Sequence, residues 1–170
     1  MAWQRFIRTV PDFPKTGILF RDITPLCEDG TAFAEVIDTF IARYRDKGLT
    51  KIVGIESRGF LLAAPLAYGL RAGLVLVRKK GKLPREVHTA EYDLEYGSDS
   101  LHMHRDAVSP QDRVLVVDDV LATGGTARAA LALAQRSGAD VMEVAVLIEL
   151  AALNGRAKLS GIPVHALVQY

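Results

Sequence analysis

Short apolar runs alternate with helical patterns over most of the chain. Apolar residues recur at helical spacing over 33–44, 60–71 and 126–137, and Gly138 stands where a left-handed C-terminal cap is expected. Runs that favour strands lie at 51–55, 74–77, 114–117, 141–147 and 164–168. Because strands that alternate with helices form parallel sheets, we predict an α/β fold with a central, mostly parallel sheet flanked by helices.

The regular pattern breaks down between Arg78 and Asp112. This segment has scattered charges, glycine and proline, and only short alternating runs. A long irregular segment inside a compact domain is often a functional loop. We therefore predict a single domain over 1–170, with a flexible loop over 79–100.

Composition narrows the class of protein. The chain has 21 Lys and Arg against 20 Asp and Glu, a net charge of +1, which argues against nucleic-acid binding. Cys27 is the single cysteine, so no intramolecular disulfide forms, and the sequence contains no charged-then-apolar leader or membrane-length apolar span. We expect a cytoplasmic protein that binds neither nucleic acid nor membrane.

Candidate chemistry begins in VLVVDDVLATGGTARAA, residues 114–130. A strand buried on both faces is predicted to lead into Asp118 and Asp119, followed by a loop and a helix N-terminus. A phosphate can accept hydrogen bonds from the free N–H groups of the helix N-terminus and from the hydroxyls of Thr123 and Thr126. The glycines let the backbone approach such an anion closely. The two carboxylates would repel that phosphate, so they need sugar hydroxyls or a hydrated divalent cation as partners. Together these residues favour a ribose 5-phosphate site.

Three other interpretations fit this stretch less well. A polar turn whose glycines serve only backbone geometry would explain the glycines but not the acid pair. Acid pairs after apolar strands also occur in receiver domains and in nucleoside triphosphatases. A receiver domain has most of its residues after that strand, unlike this chain, and the GxxxxGK[ST] motif of a nucleoside triphosphatase is absent.

Basic residues follow two other predicted strands. Arg58 comes after the strand at 51–55, at the expected sheet edge of the acid pair, where its fork of donors suits a phosphate or diphosphate. A cluster after the strand at 74–77 is suited to fold over a charged ligand and consists of Arg78, Lys79, Lys80 and Lys82. An ion pair with Glu56 is the alternative for Arg58, and a solvated surface is the alternative for any single lysine.

Six motifs together resemble a known family. In chain order they are PDFPKTGILFRDITPL, GIESRGFLLAAPLA, VRKKGKLP, YDLEYG, VLVVDDVLATGGT and VLIELAALNGRAKL. The fifth is similar to the phosphoribosyl pyrophosphate signature of the type I phosphoribosyltransferases, and FRDI with LEYG narrows the likeness to the adenine phosphoribosyltransferases. The resemblance implies the type I phosphoribosyltransferase fold, with a small N-terminal hood at 1–28 that reads the base and a flexible catalytic loop.

The resemblance also implies a reaction, a metal and an assembly. Ribose 5-phosphate would pass from phosphoribosyl pyrophosphate to N9 of adenine, giving AMP and pyrophosphate in purine salvage. Mg²⁺ would be held mainly by substrate and water, without direct protein ligands. Because part of the family's basic set reaches across a dimer interface, a homodimer is implied here.

Roles for individual residues follow from their motif positions. The resemblance implies that the 5-phosphate is bound by Ala122, Thr123, Gly124, Gly125 and Thr126. It implies that Asp118 and Asp119 bind the ribose hydroxyls, and that the pyrophosphate is bound by Arg58, Arg78, Lys79 and Lys82. Glu95 of LEYG resembles the family's catalytic glutamate, which exchanges a proton with the purine ring as N9 becomes the nucleophile.

The base site is implied by two further motifs. Phe20 of FRDI resembles the residue that stacks on one face of adenine, and Leu150 lies where the other face is covered. The backbone around Leu19 and Arg21 would read the exocyclic amine. Without the motif, Phe20 and Leu150 would be interpreted as ordinary core residues.

One stretch departs from the family pattern. Many members carry a glutamate after the leucine downstream of LEYG, whereas this chain has His102 and His104 around Met103. On a strand both imidazoles would project from one face, but without a third ligand we assign them no catalytic role.

Two rival functions stay open at this point. One is a phosphoribosyltransferase for hypoxanthine, guanine or xanthine, which an oxo-purine-reading lysine would favour. The other is a transcriptional regulator that senses phosphoribosyl pyrophosphate, which would call for an added DNA-binding segment.

Overall fold

The computed structural model describes residues 2–93, 98–159 and 161–170. The chain divides into two compact units, 1–44 and 45–170. No helix in the described ranges is long and apolar enough to cross a bilayer.

The first unit is built on one amphipathic helix. Its elements are a 3₁₀ helix (Ala2–Phe6), the antiparallel strands β1 (Arg8–Pro11) and β2 (Leu19–Asp22), and helices α1 (Thr24–Glu28) and α2 (Gly30–Tyr44). Val36, Phe40 and Tyr44 lie four residues apart on α2 and are buried, which confirms the predicted helix. The helix begins at Gly30, as the Asp29-Gly30-Thr31 sequence predicts, and Asp29 accepts a hydrogen bond from the N–H of Ala32 at 2.8 Å.

The second unit contains a seven-stranded sheet. Its strands are β3 (Lys51–Ile55), β4 (Gly73–Lys79), β5 (Val87–Asp93), β6 (Ser98–His104), β7 (Arg113–Leu121), β8 (Asp140–Glu149) and β9 (Val164–Gln169), with helices α3 (Gly59–Leu70) and α4 (Gly125–Arg136). The spatial order is β5-β6-β4-β3-β7-β8-β9. Strands β4, β3, β7, β8 and β9 are parallel, and β6 is antiparallel to β4 and β5. The prediction of a mostly parallel sheet flanked by helices is confirmed.

The core of this unit lies on both faces of the central strands. Residues 114–117 of β7 are fully buried, as expected for a strand covered on both sides. Close approach of α3 depends on Gly54 of β3, where a Cβ atom would lie 2.7 Å from the Cβ of Ala63. Gly138, after α4, has a φ of 81°, which confirms its predicted left-handed conformation.

The segment predicted as a loop over 79–100 contains two strands in its described part. β5 and β6 pair antiparallel, and Leu101 and Met103 of β6 are buried while His102 and His104 between and after them are partly exposed. The short alternating runs were therefore a strand signal, with the buried positions two residues apart. Leu94, Glu95, Tyr96 and Gly97 lie outside the described residues.

Candidate active site

The acid pair, Asp118 and Asp119, lies near the C-terminal end of β7. The strand does not end at Val117 as predicted but continues through Asp118 and Asp119 to Leu121, because Val120 and Leu121 extend the apolar alternation. Asp119 is 4% exposed, whereas Asp118 is partly exposed. The pair therefore projects at the carboxyl end of a central parallel strand, where open α/β sheets bind ligands.

The predicted phosphate loop connects β7 to α4. Helix α4 begins at Gly125, and Gly124 before it has a φ of 80°, a left-handed conformation that glycine adopts without strain. No side chain in the described residues caps this helix, so its first N–H groups are available to an anion. Residues 120–127, together with Asp118, line a small cavity of about 70 Å³.

The loop rests against the backbone of another segment. A Cβ atom on Gly124 would collide with the carbonyl oxygen of Gly155, and one on Gly155 would collide with that of Ala122. Gly155 begins a 3₁₀ helix, Gly155–Lys158. Its neighbour Arg156 donates to both carboxylate oxygens of the buried Glu149, at 2.5 and 2.6 Å, and to the carbonyl of Val164 at 2.8 Å. This ion pair fixes the segment that supports the phosphate loop.

Arg58 and Arg78, two of the predicted basic residues, have carboxylate partners. Arg58 Nε lies 2.8 Å from Asp119 Oδ2, so Arg58 reaches the same sheet edge as the acid pair, as predicted. Glu56 accepts two hydrogen bonds from Arg78, each 3.2 Å long.

One cavity of about 590 Å³ brings most of these groups together. Its lining consists of Glu56, Ser57, Arg58, Lys79, Tyr92, Leu101, Asp118, Asp119, Val120, Ala122 and Thr126. Of the four residues predicted to bind pyrophosphate, Arg58 and Lys79 line this cavity, while Arg78 and Lys82 do not. Arg78 instead donates to the carbonyl of Lys82 at 3.1 Å, which closes the turn after β4.

Burial changes the acidity of the paired carboxyl groups. Burial and then the negative charge of Asp119 raise the pKa of Asp118 well above its ordinary value. Burial also raises the pKa of Asp119, although the guanidinium of Arg58 opposes this. Asp119 Oδ2 is buried without a hydrogen bond of good geometry, despite its short distance to Arg58. A ligand that donates hydrogen bonds or carries positive charge would relieve both groups.

One candidate residue, Tyr92, was not predicted from the sequence. Tyr92 is 6% exposed and lines the large cavity, and its hydroxyl donates to Asp99 at 3.2 Å. Burial, then the charge of Asp99, raises the pKa of Tyr92, and a hydrogen bond with Thr126 lowers it. The only sequence signal for Tyr92 was the alternation of apolar and polar residues along β5. Asp99 lies opposite Tyr92 because β5 pairs with β6, and the sequence did not predict this pairing.

The residues predicted for the base lie in different units. Leu19, Phe20 and Arg21 are on β2 of the first unit, where the ring of Phe20 contacts that of Phe13 edge-on at 5.0 Å. Leu150 belongs to the second unit, where its N–H donates to the carbonyl of Leu121 at 2.9 Å. Phe20 and Leu150 are both partly exposed, which disfavours their interpretation as ordinary core residues. Glu95 lies outside the described residues.

Each of the two histidines of β6 lies close to a polar side chain. His102 lies 3.3 Å from the hydroxyl of Ser100, and His104 lies 3.3 Å from Arg85 Nη2. Within the described parts of the chain, no three His, Cys, Asp or Glu side chains are grouped as metal ligands.

Comparisons with known proteins match this geometry. Residues 27–162 match the family described as the phosphoribosyl transferase domain. The chain is 57% identical over 164 residues to an adenine phosphoribosyltransferase of Roseiflexus sp. (strain RS-1), covering 96% of this chain and 95% of that protein. The crystal structure of adenine phosphoribosyltransferase from Rhodothermus marinus DSM 4252 has a TM-score of 0.93 at 49% identity, covering 99% of this chain and 97% of that one.

A further solved structure carries ligands. It is the Saccharomyces cerevisiae adenine phosphoribosyltransferase complexed with adenine and D-2,5-dideoxy-2,5-imino-altritol 1,6-bisphosphate. Its TM-score is 0.94 at 39% identity, covering 98% of this chain and 97% of that one. The chain belongs to the phosphoribosyltransferase family, among its adenine phosphoribosyltransferases.

Proposed function

We propose that this protein transfers ribose 5-phosphate from phosphoribosyl pyrophosphate to N9 of adenine, giving AMP and pyrophosphate in purine salvage. One observation carries the proposal: a single cavity joins the acid pair, Ala122 and Thr126 of the phosphate loop, Arg58 and Lys79. These groups match the three charged or polar parts of the substrate, namely ribose hydroxyls, 5-phosphate and diphosphate. The adenine bound to the similar yeast enzyme supports the choice of base.

The phosphate loop holds the 5-phosphate in this proposal. N–H groups at the start of α4 and the hydroxyls of Thr123 and Thr126 donate to its oxygens, aided by the positive end of the helix dipole. Asp118 and Asp119 accept hydrogen bonds from the ribose hydroxyls, which relieves the carboxylates whose pKa values burial raises. Anchoring both ends of the sugar orients C1 for the displacement.

Departure of the diphosphate is assisted by positive charge. Arg58 and Lys79, which line the cavity, stabilise the negative charge that develops on the leaving group. Arg78 and Lys82 lie outside the lining and assist only if the turn between them moves toward the ligand. Glu95 exchanges a proton with the purine ring as N9 attacks, a role assigned by its place in LEYG.

Magnesium belongs to the proposal as a partner of the substrate. The carboxylates of Asp118 and Asp119 are hard oxygen donors beside the cavity, and the buried Oδ2 of Asp119 lacks a well-formed hydrogen bond. Mg²⁺ is usually bound through one or two carboxylates together with substrate phosphates and water. When bound, it would neutralise part of the diphosphate charge, with Asp118 and Asp119 accepting hydrogen bonds from its water ligands.

Two further features complete the proposal. We infer a homodimer in which basic residues of one subunit help to complete the neighbouring site, and a cytoplasmic location. The homodimer rests on the family resemblance and the location on the sequence composition, and both stay predictions.

The test is AMP formation from adenine, phosphoribosyl pyrophosphate and Mg²⁺, run beside hypoxanthine and guanine under the same conditions. We expect product from adenine alone, and loss of product when a chelator removes the metal. Product from hypoxanthine or guanine would show that the protein uses an oxo purine and not adenine alone. Binding of phosphoribosyl pyrophosphate without product from any purine would instead identify a sensor.

A further inference from the structure

Three cations at or beside the large cavity are each paired with a carboxylate. Arg58 lies 2.8 Å from Asp119, and Arg78 lies 3.2 Å from Glu56. Lys79 Nζ lies 3.5 Å from Asp99 Oδ2. The lysine pair is the longest, and its cation is 58% exposed against 35% for Arg58 and 30% for Arg78. Lys79 is therefore the cation that can change partner at least cost.

Asp99 is fixed independently of Lys79. Its Oδ1 accepts a hydrogen bond from the N–H of Ser100 at 2.8 Å, and its Oδ2 accepts one from the buried Tyr92 hydroxyl at 3.2 Å. The N–H of Ser100 in particular lowers the pKa of Asp99, so this side chain stays charged at neutral pH. Asp99 and Tyr92 are opposite each other in the β5–β6 pair. The carboxylate therefore keeps two donors when the lysine leaves.

We propose that Asp99 is a positioning residue that holds Lys79 at the cavity edge and releases it to an incoming diphosphate. The inference rests on the proposed function, because it takes a diphosphate as the cavity's ligand. Lys79 lines the cavity, whereas Asp99 does not. Binding of a diphosphate must then break the Lys79–Asp99 pair, so the carboxylate of Asp99 weakens the affinity for the diphosphate.

A double-mutant cycle on pyrophosphate binding tests this exchange. The Kd of inorganic pyrophosphate with Mg²⁺ is measured by isothermal titration calorimetry for wild type, Asp99→Asn, Lys79→Met and the double variant. Asp99→Asn is expected to lower the Kd about 1.4- to fivefold, the range measured for exposed ion pairs. With Lys79→Met already present, the same change is expected to have little effect, since the pair no longer exists.

Two controls separate exchange from general electrostatics and from misfolding. Asp106→Asn removes the same charge from an exposed ion pair with Arg85, outside the cavity lining, and is expected to leave the Kd unchanged. Thermal melting reports folding, and Asp99→Ser replaces Asp99→Asn in the cycle if the latter does not fold.

The outcomes are distinct. An unchanged or higher Kd for Asp99→Asn overturns the inference, as does an equal decrease in the Lys79→Met background or in Asp106→Asn. Failure of the wild-type protein to bind pyrophosphate would instead contradict the proposed function. Wild-type binding with no contribution from Asp99 leaves that function intact and removes only the exchange.

Discussion

Asp118 and Asp119 place two carboxyl groups side by side near the end of β7, where Asp119 is buried and Asp118 is partly exposed. Their pKa values are raised, so each binds a proton more readily in the folded protein than in the unfolded chain. Folding stability from such a group is complete below the ordinary pKa of 3.8 and is lost as the pH rises through the folded-state pKa. At neutral pH the acid pair therefore lowers the free energy of unfolding, and its retention is explained by ligand binding.

Asp118→Asn is expected to stabilise the protein at neutral pH while weakening phosphoribosyl pyrophosphate binding. The neutral amide removes the repulsion from Asp119 and the cost of burying a second charge. We expect the Tm to rise by about 2–4 °C, the shift given by about 1 kcal/mol in a domain of this size. Because the wild-type carboxyl is protonated in acid, the difference should shrink as the pH falls toward the ordinary pKa of 3.8.

Calorimetry across this pH range, with a binding titration at neutral pH, checks both expectations. Asp46→Asn is the control, since Asp46 is exposed and should change neither quantity. A Tm gain that persists in acid would show that charge burial is not its source. Unchanged affinity after replacing both Asp118 and Asp119 by Asn would contradict the ribose assignment.

Glu95 is a second residue whose role is specific enough to test. Glu95→Gln keeps the size of the side chain but cannot exchange the proton, so turnover should fall at least about 100-fold, the scale of general acid–base catalysis. Phosphoribosyl pyrophosphate binding should change far less. Steady-state kcat and a binding titration measure the two effects, with Glu91→Gln on the exposed face of β5 as control. Equal turnover in Glu95→Gln and wild type would exclude Glu95 from the mechanism.

At the scale of elements, the phosphate loop is shaped by a second backbone segment. Gly124 and Gly155 approach so closely that neither has room for a Cβ atom. The ion pair of Arg156 with the buried Glu149 fixes this segment in place. The hydrogen bond from Arg156 also lowers the pKa of Glu149. The affinity for a 5-phosphate therefore depends on residues that never touch it.

Gly155→Ala is expected to reduce both stability and phosphate affinity. Its Cβ would meet the carbonyl of Ala122 and lie 3.1 Å from the N of Gly124, so the loop must shift. We expect a loss of about 1–3 kcal/mol in the free energy of unfolding and a KM for phosphoribosyl pyrophosphate raised more than that for adenine.

Gly30→Ala is the matched control for that substitution. At Gly30, the first residue of α2, a Cβ atom has open space around it, so stability should be unchanged or slightly higher. Urea unfolding and initial-rate kinetics give the two readouts. A Gly155→Ala protein with wild-type KM for phosphoribosyl pyrophosphate would show that the contact does not shape the phosphate site.

Local hydrophobic patterns predicted most of the helices and strands. They missed the contacts between residues that are distant in the sequence. The bounds predicted for β3 are those observed, because its apolar run is bracketed by charged residues. β7 was predicted too short, since Asp118 and Asp119 were interpreted as its end although apolar residues continue to Leu121. The pairs Tyr92–Asp99 and Glu149–Arg156 join residues on different elements, so no local sequence pattern predicts them.

At the scale of the whole molecule, the second unit leaves one side of β4 uncovered. In parallel register, Leu74 is opposite Ile52 and Leu76 is opposite Gly54, so these paired residues face the same side of the sheet. Gly54 faces Ala63 of α3. Leu74 and Leu76 are nevertheless 42% and 38% exposed, because α3 covers β3 rather than this edge of the unit.

Helix α3 also carries exposed apolar side chains. Leu61 and Tyr68 lie seven residues apart on one stripe of α3 and are 46% and 77% exposed. Exposed large apolar side chains that are close together are typical of a protein–protein interface. A second copy of the chain is the partner that the family resemblance implies, and it would bury this side on both subunits.

We therefore predict a homodimer formed through Leu74 and Leu76, with twice the chain mass of 18.5 kDa in sedimentation equilibrium. Leu74→Glu with Leu76→Glu should give the 18.5 kDa monomer, because buried, unpaired carboxylates would oppose association. Leu153→Glu, at another exposed leucine, should leave the mass unchanged. A monomeric wild-type protein would exclude the homodimer, and a double variant that stays dimeric would move the interface elsewhere. If the variant is a folded monomer with lower turnover, the neighbouring subunit contributes to the active site.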